Sequence, residues 1–179
     1  EWKDIIFKKA LQKGMIIESS VQSTGTDIYN SKNAINCFNT EDTEYSKNII
    51  YTTHKIKDCY DSYHIGVNCE LLYENHAIVR SANGKFNHLS YDNTNLTYCD
   101  SCHNSNELFG CIGVKKGSYM ILNKQYTKEE YFELKEKLIQ HMKDIGEYGE
   151  FFPPDLSPFA YNETQAQVYM PLSEEEVRE

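Results

Sequence analysis

Ile49-Ile50-Tyr51-Thr52-Thr53-His54-Lys55-Ile56 returns as Leu71-Leu72-Tyr73-Glu74-Asn75-His76-Ala77-Ile78, and the same step carries Cys37 to Cys59. A fixed period of this size, about 22 residues, marks a stacked repeat, in which each unit buries its apolar positions only against its neighbours. Extending the step gives one column of Cys37, Cys59, Ser81 and, one residue short, Cys102. A second runs Cys69, Tyr91 and, two short, Cys111, and a third His54, His76, Tyr98. Where parallel coils stack about 4.8 Å apart, such residues lie over one another. Small Cys and Ser suit tight inner corners, where a free thiol behaves as a small hydrophobe. The cysteines therefore read as a packing ladder. Disulfides within a column are disfavoured, because stacked side chains run parallel rather than towards each other.

Composition agrees with a coiled chain of short strands. Tyrosine is abundant at 14, and Asn supplies 13 of the 80 positions from Asp27 to Asn106. Asn tolerates positive φ and bonds its own backbone, so it favours sharp corners over ordinary strands. The net charge of −9, with Glu174-Glu175-Glu176 near the end, disfavours direct nucleic-acid binding by this segment. The basic pair Lys115-Lys116 is too short to reverse that. No signal peptide is evident and no apolar run approaches the roughly 18 residues of a membrane span. Six cysteines with no export signal place the chain in a reducing cytoplasm. The sequons at Asn95 and Asn162 then carry no meaning.

Outward from the repeat, residues 2–13 read as a helix, with Trp2, Ile5 and Ile6 on one face and Gly14 as its stop. From Ile16 to Asn123 the pattern is short β-prone bursts punctuated by Asn, Asp, Ser or Gly. Thr127 and Glu130 form a capping box that opens a helix. Tyr131, Leu134, Leu138, Met142 and Ile145 then recur at helical spacing, and Gly146 ends it. Pro153, Pro154 and Pro158 make 147–172 an extended tail, and a new helix starts near Pro171-Leu172-Ser173, as if the chain were cut inside an element.

Three groups of residues carry candidate chemistry. Cys99-Asp100-Ser101-Cys102-His103 matches the c-type haem attachment pattern, in which two thiols bond the haem and His ligates iron. Against haem stand the single copy, the lack of an export signal and the repeat column that already accounts for Cys102. Zinc is the alternative: Cys99, Cys102 and Cys111 with His103 or His88 would supply four soft ligands, although ribbons usually pair two Cys-x-x-Cys knuckles and this chain has one. His54, His64, His76 and His88, spaced 10, 12 and 12, read as half a coil apart and could line a groove with Glu70, Glu74 and Arg80. The competing reading of these histidines is half-buried ladder positions. No nucleophile elbow, phosphate loop, dinucleotide fingerprint or His-Glu-x-x-His helix is present.

Several stretches resemble a known family. They are Asn36-Cys37-Phe38-Asn39, Lys57-Asp58-Cys59-Tyr60-Asp61, Glu70-Leu71-Leu72-Tyr73-Glu74, Tyr98-Cys99-Asp100-Ser101-Cys102, Leu108-Phe109-Gly110-Cys111-Ile112-Gly113, Ile121-Leu122-Asn123-Lys124-Gln125-Tyr126 and Gly146-Glu147-Tyr148-Gly149-Glu150-Phe151-Phe152-Pro153. Covering roughly residues 30–172, they resemble the C-terminal, solenoid-like region of large, Cys-rich, zinc-ribbon-containing uncharacterised proteins of small-genome uncultivated bacteria. The resemblance implies that this chain lacks the upstream ribbons and is a fragment or a short member. It also implies that the residue after Cys102 varies, Phe being as acceptable as His103, which counts against haem. It carries over no activity, substrate or catalytic residue.

The expected fold is therefore mainly β: a capping helix over 1–14, a short parallel β-solenoid of about 22 residues per coil over 15–126, a helix over 127–146 and an extended tail over 147–179. The expected function is a non-catalytic binding or scaffold module of a larger protein, engaging a protein or glycan partner. The alternatives are a carbohydrate-active parallel β-helix enzyme and a zinc- or haem-binding protein through Cys99, Cys102, His103 and Cys111. No cofactor is expected unless zinc, and neither nucleic acid nor membrane is an expected partner.

Overall fold

One residue in three turns the backbone left-handed. Asp27, Asn30, Asn33, Asn36, Asn39 and Asp42 all have φ near +50°, and the spacing continues to Glu107 with two single-residue slips, from Tyr51 to Lys55 and from His64 to Asn68. Asn and Asp reach this conformation more easily than other side chains, which explains their abundance. Each left-handed residue is followed by an inward one: Ile28, Ser31, Ala34, Cys37, Thr40 and Thr43 are all buried. The structural unit is thus a triplet of one outward, one left-handed and one inward residue.

Four triplets close one coil, and coils stack as parallel strands. The computed structural model, which describes residues 2–5, 13–164, 166–169 and 171–178, pairs Gly25 with Cys37, Phe38 with Ile50, Glu70 with Ala82, Ala82 with Thr94 and Thr94 with Asn106. Every one of these steps equals the separation of Ser31 from Thr43, which is 12. In two neighbouring coils the step is 13, from Thr43 to Ile56 and from Ile56 to Cys69. About nine turns result, closed by an antiparallel pairing of Ser118–Ile121 with Lys124–Gln125.

Four columns fill the interior. The first runs Ile28, Thr40, Thr52, Ile65, Ile78, Ser90, Cys102. The second runs Ser31, Thr43, Ile56, Cys69, Ser81, Asn93, Ser105. The third runs Ala34, Ser46, Cys59, Leu72, Gly84, Leu96, Leu108. The fourth runs Cys37, Ile49, Ser62, Asn75, Asn87, Cys99, Cys111. Apolar members pack as a core, while polar members bond the backbone. Ser62 Oγ donates to the Tyr60 carbonyl at 2.7 Å and accepts the Asn75 N–H of the next coil at 3.1 Å. Asn87 accepts the Cys99 N–H at 2.9 Å and donates to the Leu96 carbonyl at 3.0 Å. Cysteine imitates serine here: Cys59 Sγ donates to the Lys57 carbonyl two residues back, and Cys99 Sγ to that of Thr97. Buried backbone donors must be paired, and these side chains pair them between coils.

The solenoid is as expected, but the coil is shorter than the sequence repeat. From Cys37, two coils lead through Ile49 to Ser62, and one triplet back from Ser62 stands Cys59. The sequence repeat therefore lands on an inward position of the adjoining column two coils away. Cys37, Cys59, Ser81 and Cys102 stand in the fourth, third, second and first columns and do not stack. His54 and His76 likewise lie on different outward faces. The inward phase repeats with every triplet, and the similarity of small inward side chains produced the longer period.

The cap over 127–145 matches expectation. Helix α1 comprises Trp2–Asp4, and the rest of the helix expected over residues 2–13 lies largely outside the described residues. Helix α2 spans Lys128–Asp144, with Thr127 Oγ1 accepting from Glu130 N and the Glu130 carboxylate accepting from Thr127 N. Its Tyr131 is fully buried, edge-on to Tyr119. Beyond α2, the Gly149 N–H donates to the Tyr98 hydroxyl at 2.9 Å.

A second compact unit comprises Glu150–Glu179. Before Pro171 it is not simply extended, as expected from its prolines, but holds 3-10 turns at Pro154–Leu156 and Tyr161–Glu163 and a short helix at Ala166–Tyr169, while the helix expected to start near Ser173 is present at Glu174–Arg178. Proline fixes the φ needed at a helical first turn, so Pro154 opens the first of these turns as readily as it would break a strand.

Two stability effects arise from the triplet. Asn87→Ala removes the side-chain partner of the buried Cys99 N–H and a donor to the Leu96 carbonyl, and should lower unfolding free energy by roughly 1–3 kcal/mol in urea titration. Leu71, exposed with φ +54°, should gain about 0.5–1 kcal/mol on replacement by Asn, read as a raised thermal midpoint.

Candidate binding faces and the sulfur cluster

The inward or outward phase of the triplet decides where each candidate residue goes. Cys99, Cys102 and Cys111 are fully buried and share one core cluster with Leu96 and Leu108. Cys99 stands one coil below Cys111, and its thiol donates to the Thr97 carbonyl at 3.4 Å. The neighbouring Cys99 thiol pulls the Cys111 thiol down to about 7 and also lowers Cys102, while burial raises Cys99 itself. Elsewhere burial dominates, pushing Cys59 up to about 12 and Cys69 up to about 11. All six cysteines are free. Three of the four metal candidates thus share one core cluster without their ligand atoms all lying within 4.8 Å of one another, and apart from them stands His103. It faces outward, its ring stacked on Tyr91 at 5.0 Å in the coil below.

The enzyme alternative required Glu74, His76 and Arg80 in one groove. They lie on three different faces. Glu74 is a left-handed residue just before the fourth inward column, at Asn75; His76 is outward just after it; Arg80 precedes the second column, at Ser81. Arg80 is engaged instead by Asp92, which accepts from Nη2 at 2.8 Å and also from Nε.

Between the fourth and first columns, the outward residues of successive coils are Phe38, Ile50, Tyr63, His76, His88 and Asp100. Tyr63 and His76 stack at 5.4 Å with planes 26° apart, and His76 and His88 at 4.9 Å and 15°. The His88 ring ends on Asp100, with Nδ1 at 3.1 Å from Oδ1. Face-to-face stacking uses the ring faces within the column and leaves their edges outward. The lower part of the face, in the earlier coils, remains open: Phe38 is 38% exposed, Ile50 48%, Tyr63 51% and the adjacent Tyr51 43%. The even spacing from His64 to His88 signals one full coil, although only His76 and His88 share a column. Phe38, Ile50 and Tyr63 escaped notice because the longer sequence repeat scattered them.

Another outward group was not foreseen. His54 Nδ1 lies 3.2 Å from an Asp42 carboxylate oxygen and 3.6 Å from one of Glu41. His54 belongs to one of the two longer coils, whose additional residue brings the ring over the preceding coil. The three groups are partly or fully exposed, an arrangement that exposed acids adopt without an ion. Among the described residues no helix is long and apolar enough to cross a membrane. In comparisons with known proteins, the chain matches no family model and no curated sequence.

Burial, then repulsion from His88 and His64, holds the His76 imidazole below its ordinary value. The folded chain therefore favours neutral His76. This contribution to stability is complete above the unfolded value of about 6.5 and is lost as pH falls towards the folded one. Urea unfolding at pH 7 and pH 5 should show a smaller pH-dependent loss in His76→Phe than in the parent. Ellman titration of the native chain should count almost no reactive thiol at Cys37, Cys59 or Cys69, and all six after denaturation.

Proposed function

We propose that this chain is a non-catalytic binding module of a larger protein, and that the face carrying Phe38, Ile50, Tyr51 and Tyr63 receives a protein partner. The observation that carries this reading is the contiguous open apolar surface over three coils. Aromatic side chains held rigidly on a strand lose little entropy on binding and dominate interface energetics. A protein suits the face better than a glycan, because the Tyr63, His76 and His88 rings stack on each other and do not offer free faces to sugar rings. The stacked coils also give a regular surface of the kind repeat proteins use for recognition. A reducing compartment, suited to six unbridged buried thiols, belongs to the same proposal, as does kinship with the zinc-ribbon-containing proteins that the sequence resembles.

The test is capture on the immobilised chain, with the retained protein identified by mass spectrometry and its affinity measured. Ile50→Lys combined with Tyr63→Ala should weaken that affinity by at least about tenfold while leaving the thermal midpoint nearly unchanged. Equal retention by the double variant, or binding through this face to glycans alone, overturns the reading.

A further inference from the structure

A groove of about 720 Å³ lies on another surface of the solenoid, along the second inward column. Its floor includes Ile56, Cys69 and Ser81, and it extends over six successive coils, from Asn30 to Thr94. At the spacing of parallel strands this is a trough roughly 25 Å long, parallel to the stacking axis. Both of the longer coils extend the same wall of it, through the slips before Lys55 and Asn68. From Gly25 to Ser118 these are the only departures from the regular step. Insertions confined to one face of a repeat protein commonly mark the face that binds.

The walls carry like charges on the same rung, and the sign alternates from rung to rung. Asp42 faces across from Glu44, Lys55 from Lys57 one coil on, Glu70 occupies the next rung, and Arg80 the one after. The Asp92 pairing fixes the Arg80 guanidinium in place. A rung advances about 4.8 Å, so the charge pattern repeats about every 9.6 Å.

This pattern discriminates among extended ligands. A peptide strand presents same-side groups about every 6.6 Å, and falls out of step with the rungs after one residue. Nucleic acid carries one sign throughout and would set phosphates against Asp42, Glu44 and Glu70. A linear chain of pyranose rings advances by about one rung per ring. We infer that the trough binds a linear glycan with a carboxylated sugar at every second position. Its carboxylates meet Lys55 with Lys57, and then Arg80. The intervening sugars place hydroxyl and amide donors on Asp42 with Glu44, and then on Glu70. This site is separate from the apolar face, and the two stand or fall independently.

The experiment is calorimetric titration of the full chain with a decasaccharide of alternating glucuronate and N-acetylglucosamine. A galacturonate homopolymer and an uncharged cello-oligosaccharide of equal length serve as comparators. The alternating sugar should bind at least about tenfold tighter than either, and lose about tenfold with Lys55→Ala plus Lys57→Ala. Asp42→Asn with Glu44→Gln should instead raise affinity for the homopolymer, because it removes the repelling rung. Ile50→Lys with Tyr63→Ala should leave all three titrations unchanged. Failure of the alternating sugar to bind overturns the inference, as does equal binding of the homopolymer to the parent chain. So does a lysine double variant that melts earlier yet binds the sugar as before, since the charges would then serve only the solenoid's own stacking.

Discussion

The whole solenoid depends on hydrogen bonds that pass from one coil to the next through inward polar side chains. A backbone that turns left-handed at every triplet cannot satisfy all its donors with a continuous strand ladder. The N–H groups of Asn75, Cys99 and Cys102 point at Ser62, Asn87 and Ser90 of the preceding coil, whose own donors return to carbonyls nearby. Each such side chain therefore ties two coils while it fixes the corner of one. The cost of leaving any of these groups unpaired in a dry core is of the same order as the gain from a buried aliphatic side chain. This explains how Ser, Thr, Asn and Cys occupy a core beside Ile and Leu.

Cysteine gains its place from the same constraint. Its thiol donates to the carbonyl two residues back, as serine does, and fills more apolar volume. Where three such positions converge, at Cys99, Cys102 and Cys111, each thiol keeps its carbonyl partner, and the neighbouring Cys99 thiol favours the thiolate at the other two. A packing device thus gathers three thiols into one core cluster.

With the interior fixed by the triplet, the outward positions are free to vary, and stacking multiplies whatever they carry. One surface accumulates rings and aliphatic side chains, another alternating charges. Identical backbone spacing gives the two surfaces the same ruler of one rung per coil, which is why both proposals concern extended or repetitive contacts rather than a closed cavity. Residues that lie close in sequence, such as Glu74, His76 and Arg80, are sent to separate surfaces within a single coil. A catalytic group would have to be assembled from residues one coil apart, such as the His76–His88 stack.

The sequence by itself determined that the chain coils: Asn at tight corners, small inward Cys and Ser, short β-prone bursts and the Thr127–Glu130 cap all come from local propensity and are seen in the structure. The packing of the cysteines was expected from a column that would stack Cys37 on Cys59; the structure puts these on different columns, and the buried, free thiols follow from the inward phase of the triplet. The coil length was decided only by the tertiary structure. A triplet phase makes every whole number of triplets look alike in sequence, whereas the choice of four triplets per turn depends on how backbone groups from distant residues meet. For the same reason the union of Cys99 with Cys111, the ring column from Phe38 to His88 and the trough beside Lys55 and Lys57 became visible only in three dimensions. Each joins residues whose common property is their rung.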